Sequence, residues 1–157
     1  PGEAGPSSGT PFNQIRELAP DRFDYLCLGV AEEANSHALF ERARDWGVGI
    51  VSDHALIKDP EVADADIEAM ARRSDILYLT IDIDLLPHFQ APGVSAPAAR
   101  GVPLTIVEHL LDQCLRACQA YNVSMPLADI VEVSPRFDRD GVTAKTAAYL
   151  ARKLLFR

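Results

Sequence analysis

Leu77-Tyr-Leu-Thr-Ile-Asp82-Ile-Asp84-Leu-Leu-Pro87 is the stretch on which the rest of the chain is organised. An apolar run drives into a strand and ends in two carboxylates with one residue between them. A parallel strand rises ~3.3 Å per residue, which sets the two Asp Cα atoms roughly 6–7 Å apart. Residues i and i+2 point to the same face of a strand. Two like charges placed so repel each other unless a cation lies between them or solvent is close. A divalent metal, or a pair of metals, explains the pattern. The alternative is that Asp is simply common where strands end and loops begin.

Around this stretch the chain alternates strands and helices. Apolar runs predict strands over 23–30, 48–52, 76–81 and 130–133. Helical spacing predicts helices over 12–18, 36–46, from Asp59-Pro60 to Arg72-Arg73, from Thr105 to beyond Cys118, and over 142–156. Asp59 is expected as an N-cap with Pro60 at the first helical position. Thr105-Ile-Val-Glu108 is expected to form a capping box. Ala38, Leu39, Ala43 and Trp46 are expected to face inward on one helix, and Ala144, Ala147, Ala148, Ala151, Leu154 and Leu155 on the last. Residues 87–103 have no periodicity, and long loops inside compact domains are often functional. Strands that are apolar throughout, separated by helices, predict an α/β fold of three α/β/α layers with a mainly parallel sheet. In such sheets ligands gather beyond the carboxyl ends of the strands. Those ends carry Glu32-Glu33, Asp53-His54, Asp82-x-Asp84 and Glu132, an acidic rim suited to divalent cations or a cationic substrate.

Length and composition set the bounds. The chain has 157 residues, 48% hydrophobic and 24% charged, with a net charge of −8. That suits one domain with a sizeable core. The acidity argues against nucleic acid or an anionic membrane as partner. No apolar run is long enough for a transmembrane helix, and no signal-peptide pattern occurs. Cys27, Cys114 and Cys118 all lie in apolar segments and read as buried reduced thiols, hence a cytoplasmic setting. His37 and His109 are expected on exposed helix faces.

Leu79-Thr-Ile-Asp82-Ile-Asp84-Leu-Leu, Ala91-Pro-Gly-Val-Ser-Ala-Pro97 and Asp129-Ile-Val-Glu132-Val-Ser-Pro135 follow one another in this order. Together they resemble the ureohydrolase family of arginases, agmatinases and formimidoylglutamases. Ser7-Ser-Gly-Thr-Pro-Phe12, Val94 to Leu104 and Pro135 to Ala144 look most like the formimidoylglutamase branch. The resemblance implies an arginase-like fold and hydrolysis of N-formimidoyl-L-glutamate to glutamate and formamide, a step of histidine degradation. It implies two Mn2+ ions, with Asp82 and Asp84 among their ligands. Two such ions ~3.5–4 Å apart lower the pKa of a shared water. Glu132 matches the acid that pairs with the substrate's amidine, the catalytic contact. Ser8 and Thr10 fall where the family's loop meets the amino-acid end of the substrate, and Glu33 and Asn35 where it meets the amino group. For Glu33 and Asn35 a polar helix start, with Asn35 as N-cap, explains the residues equally well. The family also implies a small-molecule substrate and a homo-oligomer.

The family's other metal ligands, a His after a Gly-rich stretch and an Asp-x-His-x-Asp run, do not occur between Pro1 and Arg157. The second would fall just before Pro1. The expectation is therefore that residues 1–157 are the C-terminal part of a single arginase-like domain, with 1–10 a loop, inactive alone. Other ureohydrolase substrates, a non-catalytic truncated paralogue and an Asp-x-Asp phosphatase are the competing readings. The last fits poorly, because Leu86 stands where such phosphatases carry Thr or Val.

Overall fold

The computed structural model describes residues 10–156. Four strands and six α-helices follow in the order α1 Pro11–Leu18, β1 Leu26–Val30, α2 His37–Asp45, β2 Gly49–Ser52, α3 Asp53–Lys58, α4 Asp64–Arg72, β3 Ile76–Asp82, α5 Leu104–Tyr121, β4 Ser124–Val131 and α6 Val142–Leu155. β1 pairs with β2 and β3 with β4, both in parallel. Parallel neighbours need a crossover, which α2 supplies for the first pair and α5 for the second. Among the described residues the strands form these two pairs, and β1 and β3 are not hydrogen-bonded to each other. Phe12 of α1 lies between the two pairs. Its ring stacks on Tyr25 at 4.6 Å and faces Tyr78 of β3 at 6.3 Å.

One core serves both strand pairs. Val51, Leu56 and Ile67 from the first part of the chain meet Ile81, Ile83, Leu86, Val107, Leu110 and Leu150 from the second. α5 contributes the longest buried stripe: Ile106, Val107, Leu110, Leu111, Ala117 and Cys118. It ends on Asn122 in the left-handed region (φ 55°), with the Val123 N–H donating to the Cys118 carbonyl at 2.8 Å. That closure is the Schellman arrangement, for which Asn is the usual substitute for Gly. Polar seams join the helices. Asp64 of α4 accepts from His109 at 2.9 Å and Gln113 at 2.5 Å, and Lys153 of α6 reaches Glu108 and Asp112 of α5.

Several expected boundaries move. A separate helix, α3, starts directly after β2 because the Ser52 hydroxyl accepts the Ala55 N–H at 3.1 Å. Asp59 accordingly caps nothing longer than a turn: it accepts the Glu61 N–H, and α4 begins at Asp64. The Thr105 capping box does not form. Thr105 sits inside α5, Gln90 takes the Leu104 N–H at 3.0 Å, and Glu108 is engaged by Tyr149 and Lys153. β1 starts at Leu26 instead of Phe23, behind a 3-10 turn over Pro20–Arg22. β4 runs from Ser124 and stops before Glu132. The inward face expected of α2 is not realised: none of its residues is buried, and Leu39 is 49% exposed. α6 is rotated from its expected stripe. Thr143 and Leu150 are buried, whereas Ala144, Ala148 and Leu155 are exposed. His109 is half-buried in its ion pair with Asp64, against the expected exposure. Cys118 is buried, Cys27 and Cys114 half-buried, and all three are free thiols.

Candidate active site

β3 and β4 run side by side, with Asp82 opposite Val131. Both chains therefore leave the sheet at the same edge. After β3 a 3-10 turn over Ile83–Leu85 buries Ile83 completely. That turn brings Asp84 back against Asp82. Asp82 is exposed at the end of the strand, but partial desolvation raises its carboxyl to about 7; the side-chain hydrogen bond and charge of Asp84 push the same way and the backbone of Asp84 pulls back. Asp84 is raised as well: burial pushes it up, the Asp82 hydrogen bond pulls it down, and the charge of Glu132 pushes it up again. Two carboxyls in hydrogen-bond contact titrate as a pair. The charge of Asp82 also reaches across to Tyr25, just before β1, and Cys27, within it, whose burial already raises both.

Glu132 follows β4 directly and adopts φ +65°. A bulky non-glycine residue seldom takes this left-handed conformation, and such positions cluster where function over-determines the backbone. Its carboxylate lies within the field of Asp84, and the Ser95 hydroxyl donates to it at 3.5 Å. Ser95 belongs to the Ala91–Pro97 loop. Ala91, Gly93 and Val94 of that loop are buried, so an irregular segment is held by packing. Beside it opens a cavity of about 560 Å³ lined by His88, Ser95, Arg136 and Arg139 among others.

The sequence-derived candidates thus divide. Asp82, Asp84 and Glu132 come together at one strand edge. Glu33, in a 3-10 turn after β1, instead faces Arg100 at 4.0 Å. The Asn35 amide donates to the Ala31 carbonyl at 2.8 Å, and Ser36 occupies the N-cap position of α2, so Asn35 is not the cap. Thr10 precedes α1 and its carbonyl accepts the Gln14 N–H. Ser8 lies outside the described residues.

Sequence reasoning placed Asp53 only on the acidic rim and left Arg100 out of the site. Asp53 is 4% exposed, accepts the His54 N–H at 2.6 Å and pairs with Arg100 at 3.5 Å. Arg100 therefore ties Glu33 and Asp53 together across the ends of β1 and β2. Charged side chains are seldom buried unless paired, so a buried Asp at a strand end is the signal that pointed there.

Asp82 and Asp84 have the donor chemistry for a hard divalent cation. Hard oxygen ligands suit Mg²⁺, Ca²⁺ and Mn²⁺, and a cation between the two would offset the desolvation and the like charge of Asp84 that both raise Asp82. Among the described residues no group of three or more His, Cys, Asp or Glu side chains is disposed to hold a metal ion. The pair therefore fits as part of a ligand set.

The sequence profile described as Arginase family matches residues 2–156. The formimidoylglutamase of Hahella chejuensis is 46% identical over 154 residues, 96% of this chain and 46% of that protein. That of Aeromonas hydrophila is 45% identical over 153 residues, 95% of this chain and 47% of that protein. The chain spans about half the length of the relatives it matches. Among solved structures, the formimidoylglutamase from Bacillus subtilis superposes with a TM-score of 0.79 at 23% identity, over 96% of this chain and 46% of that one. An arginase from Bacillus caldovelox superposes with a TM-score of 0.72 at 24% identity, over 84% of this chain and 42% of that one.

Proposed function

The chain belongs to the arginase family, and from that premise we propose that the whole protein is a metal-dependent hydrolase of a linear amidine, cleaving N-formimidoyl-L-glutamate to L-glutamate and formamide in histidine degradation. Its parallel strands and flanking helices are part of the arginase-like α/β fold. In this reading residues 1–157 form the later part of one such domain. The observation that carries the proposal is the convergence of Asp82, Asp84 and Glu132 where β3 and β4 leave the sheet. The formimidoylglutamase relatives favour this substrate over arginine or agmatine.

Asp82 and Asp84 would hold manganese, with further ligands from outside the described residues. When bound, a pair of such ions supplies a water activated for attack near neutral pH. Glu132 accepts the N–H groups of the planar amidinium in two charge-assisted hydrogen bonds, which fixes the orientation of the formimidoyl carbon. The Ser95 hydroxyl donates to one oxygen of the Glu132 carboxylate. The water oxygen adds to that carbon and the bond to the glutamate nitrogen breaks. A proton passes to that nitrogen to give the free amine, and the carbon leaves with its other nitrogen as formamide. Thr10, Glu33 and Asn35, with Ser8, would serve the amino-acid end of the substrate. A small-molecule substrate, a cytoplasmic setting and a homo-oligomer complete the proposal. The described residues contain no helix long and apolar enough to cross a membrane.

The test is formamide release by the manganese-loaded protein expressed from its complete gene. Glu132→Gln is expected to lower kcat/KM by ~100-fold or more, the order seen when a charged positioning contact is lost. Asp82→Asn and Asp84→Asn are expected to lower the metal content measured by elemental mass spectrometry. Urea release from agmatine or arginine in place of formamide would reassign the substrate. Metal-loaded protein active on none of these would support the non-catalytic reading.

A further inference from the structure

We propose that Asp138 and Thr143, both outside the carboxylate trio, are positioning residues that set the place of Glu132 through Gly93 and Ser134. The inference rests on the proposed role of Glu132. Glu132 is exposed and strained, with φ +65°, so its own packing does not fix it. What fixes it is the backbone on either side and the loop that bears Ser95.

The contacts form a closed circuit. The Asp138 carboxylate accepts the Thr143 N–H at 3.0 Å and the Ala144 N–H at 2.9 Å, anchoring the first turn of α6. Thr143 is fully buried and its hydroxyl hydrogen-bonds the Asp138 carboxylate. The same hydroxyl accepts the Gly93 N–H at 2.6 Å. The Gly93 carbonyl accepts the Ser134 N–H at 2.7 Å. Ser134 stands two residues beyond Glu132, and Ser95 two residues beyond Gly93, where its hydroxyl meets Glu132. A hydroxyl has one proton to give and lone pairs to accept with, and Thr143 uses both to link helix to loop.

Helix capping alone does not account for this arrangement. Asp138 already serves the free N–H groups of α6. Thr143 spends its acceptor on a loop 50 residues away in sequence. Gly93 is required by the same contact: a Cβ there would lie 2.3 Å from the Asp138 Cβ. The Ala91–Pro97 loop and the Glu132–Pro135 segment are thus locked to each other through the start of α6. A shift in this lock moves Glu132 relative to Asp84.

The experiment uses the manganese-loaded protein from its complete gene, with kcat and KM for N-formimidoyl-L-glutamate taken per folded molecule. Thr143→Val keeps the shape and removes the hydroxyl, and it is expected to lower kcat/KM by ~10- to 100-fold, with KM raised as well. Thr143→Ser keeps the hydroxyl and is expected to restore kcat/KM to within about twofold of wild type. A role in stability alone would lower the folded fraction and leave both constants per folded molecule unchanged, and that result overturns the inference. Failure of the Ser variant to restore activity overturns it too. Where Thr143→Val does not fold, Asp138→Asn decides. It keeps one oxygen acceptor, and a folded variant with wild-type kcat and KM refutes the positioning role. A protein in which Glu132→Gln is fully active instead refutes the reading of Glu132 and leaves the circuit as stability alone.

Discussion

Two parts of the chain carry helices of similar amphipathic pattern and use them differently. From Thr10 to Gly47, α1 and α2 bury none of their residues. They are held at the rim by aromatic contacts: Phe12 against Tyr25, Phe23 edge-on to Trp46 at 6.1 Å, and the Arg16 guanidinium over the Trp46 ring at 4.8 Å. Each such contact is worth ~0.5–1.5 kcal/mol. From Ile76 onward, α5 and α6 join a core with Leu77, Leu79, Ile81 and Ile130 of β3 and β4, and the loop over 87–103 adds Ala91, Val94 and Val102 to it; Ile76, Tyr78 and Leu127 of the same strands stay exposed. The three clustered carboxylates stand on this second part. Periodicity says that a helix has an apolar side; it does not say that anything in the chain covers it.

The difference is open to direct attack. Leu110→Ala on α5, where Leu110 is 6% exposed, is expected to cost ~2–5 kcal/mol, because a cavity remains where the side chain was. Leu39→Ala on α2 is expected to stay within ~0.5 kcal/mol. Urea midpoints measure both, and comparable losses at the two sites would show that α2 is covered in solution. Gly93→Ala comes next in size. Its Cβ would collide with Asp138 backbone and side chain, and overpacking of this kind costs ~1–3 kcal/mol. Gly47→Ala, in the exposed part, meets no atom within 4 Å and pays only for its φ of +68°, ~1 kcal/mol.

The same contrast explains what was legible in the sequence. β3 and the helix behind it were readable because an apolar run and a helical stripe each have one physical interpretation there. That Asp82 and Glu132 stand at strand ends was readable from the apolar runs before them, whereas the roles expected of Asp82, Asp84 and Glu132 came from the family resemblance; the 3-10 turn that carries Asp84 had no mark in the i, i+2 spacing. The left-handed backbone at Glu132 was not readable either, since nothing local marks a Glu for that region. α3 was hidden because Asp59-Pro60 is a strong start signal, while the cap actually used is Ser52. The Arg100 cluster was hidden for another reason. It joins residues 33, 53 and 100, and contacts of that separation leave no trace in spacing.

pH offers a subtler probe of the second part. Desolvation pushes Asp138 up, but the N–H groups of Ala144, Thr143 and Val142 and the Thr143 hydroxyl outweigh it, so the carboxyl sits below its ordinary value of 3.8. An acid depressed in the folded state adds stability above its unfolded pKa and loses it as pH falls through the folded one. Asp138→Asn is therefore expected to be less stable than wild type above about pH 4 and to converge with it in stronger acid. Parallel urea midpoints over that range would instead show that the caps do not favour the ionised form.

The smallest effect expected is electrostatic, and it again separates the two parts. Lys153 lies 3.3 Å from Glu108 and 3.2 Å from Asp112, with its side chain and that of Glu108 each only 23% exposed. On α2, His37 and Glu41 are 81% and 55% exposed at 3.5 Å. Exposed pairs contribute little, because water and salt screen them and two long side chains must be ordered. Lys153→Met is expected to cost ~0.2–1 kcal/mol in low salt, where the seam between α5 and α6 is partly shielded from solvent. That cost should shrink towards 1 M salt, where the Debye length falls to about 3 Å. His37→Ala is expected to change stability by less than ~0.5 kcal/mol at any salt. Equal responses at the two positions would mean that the α5–α6 seam is as wet as the surface of α2.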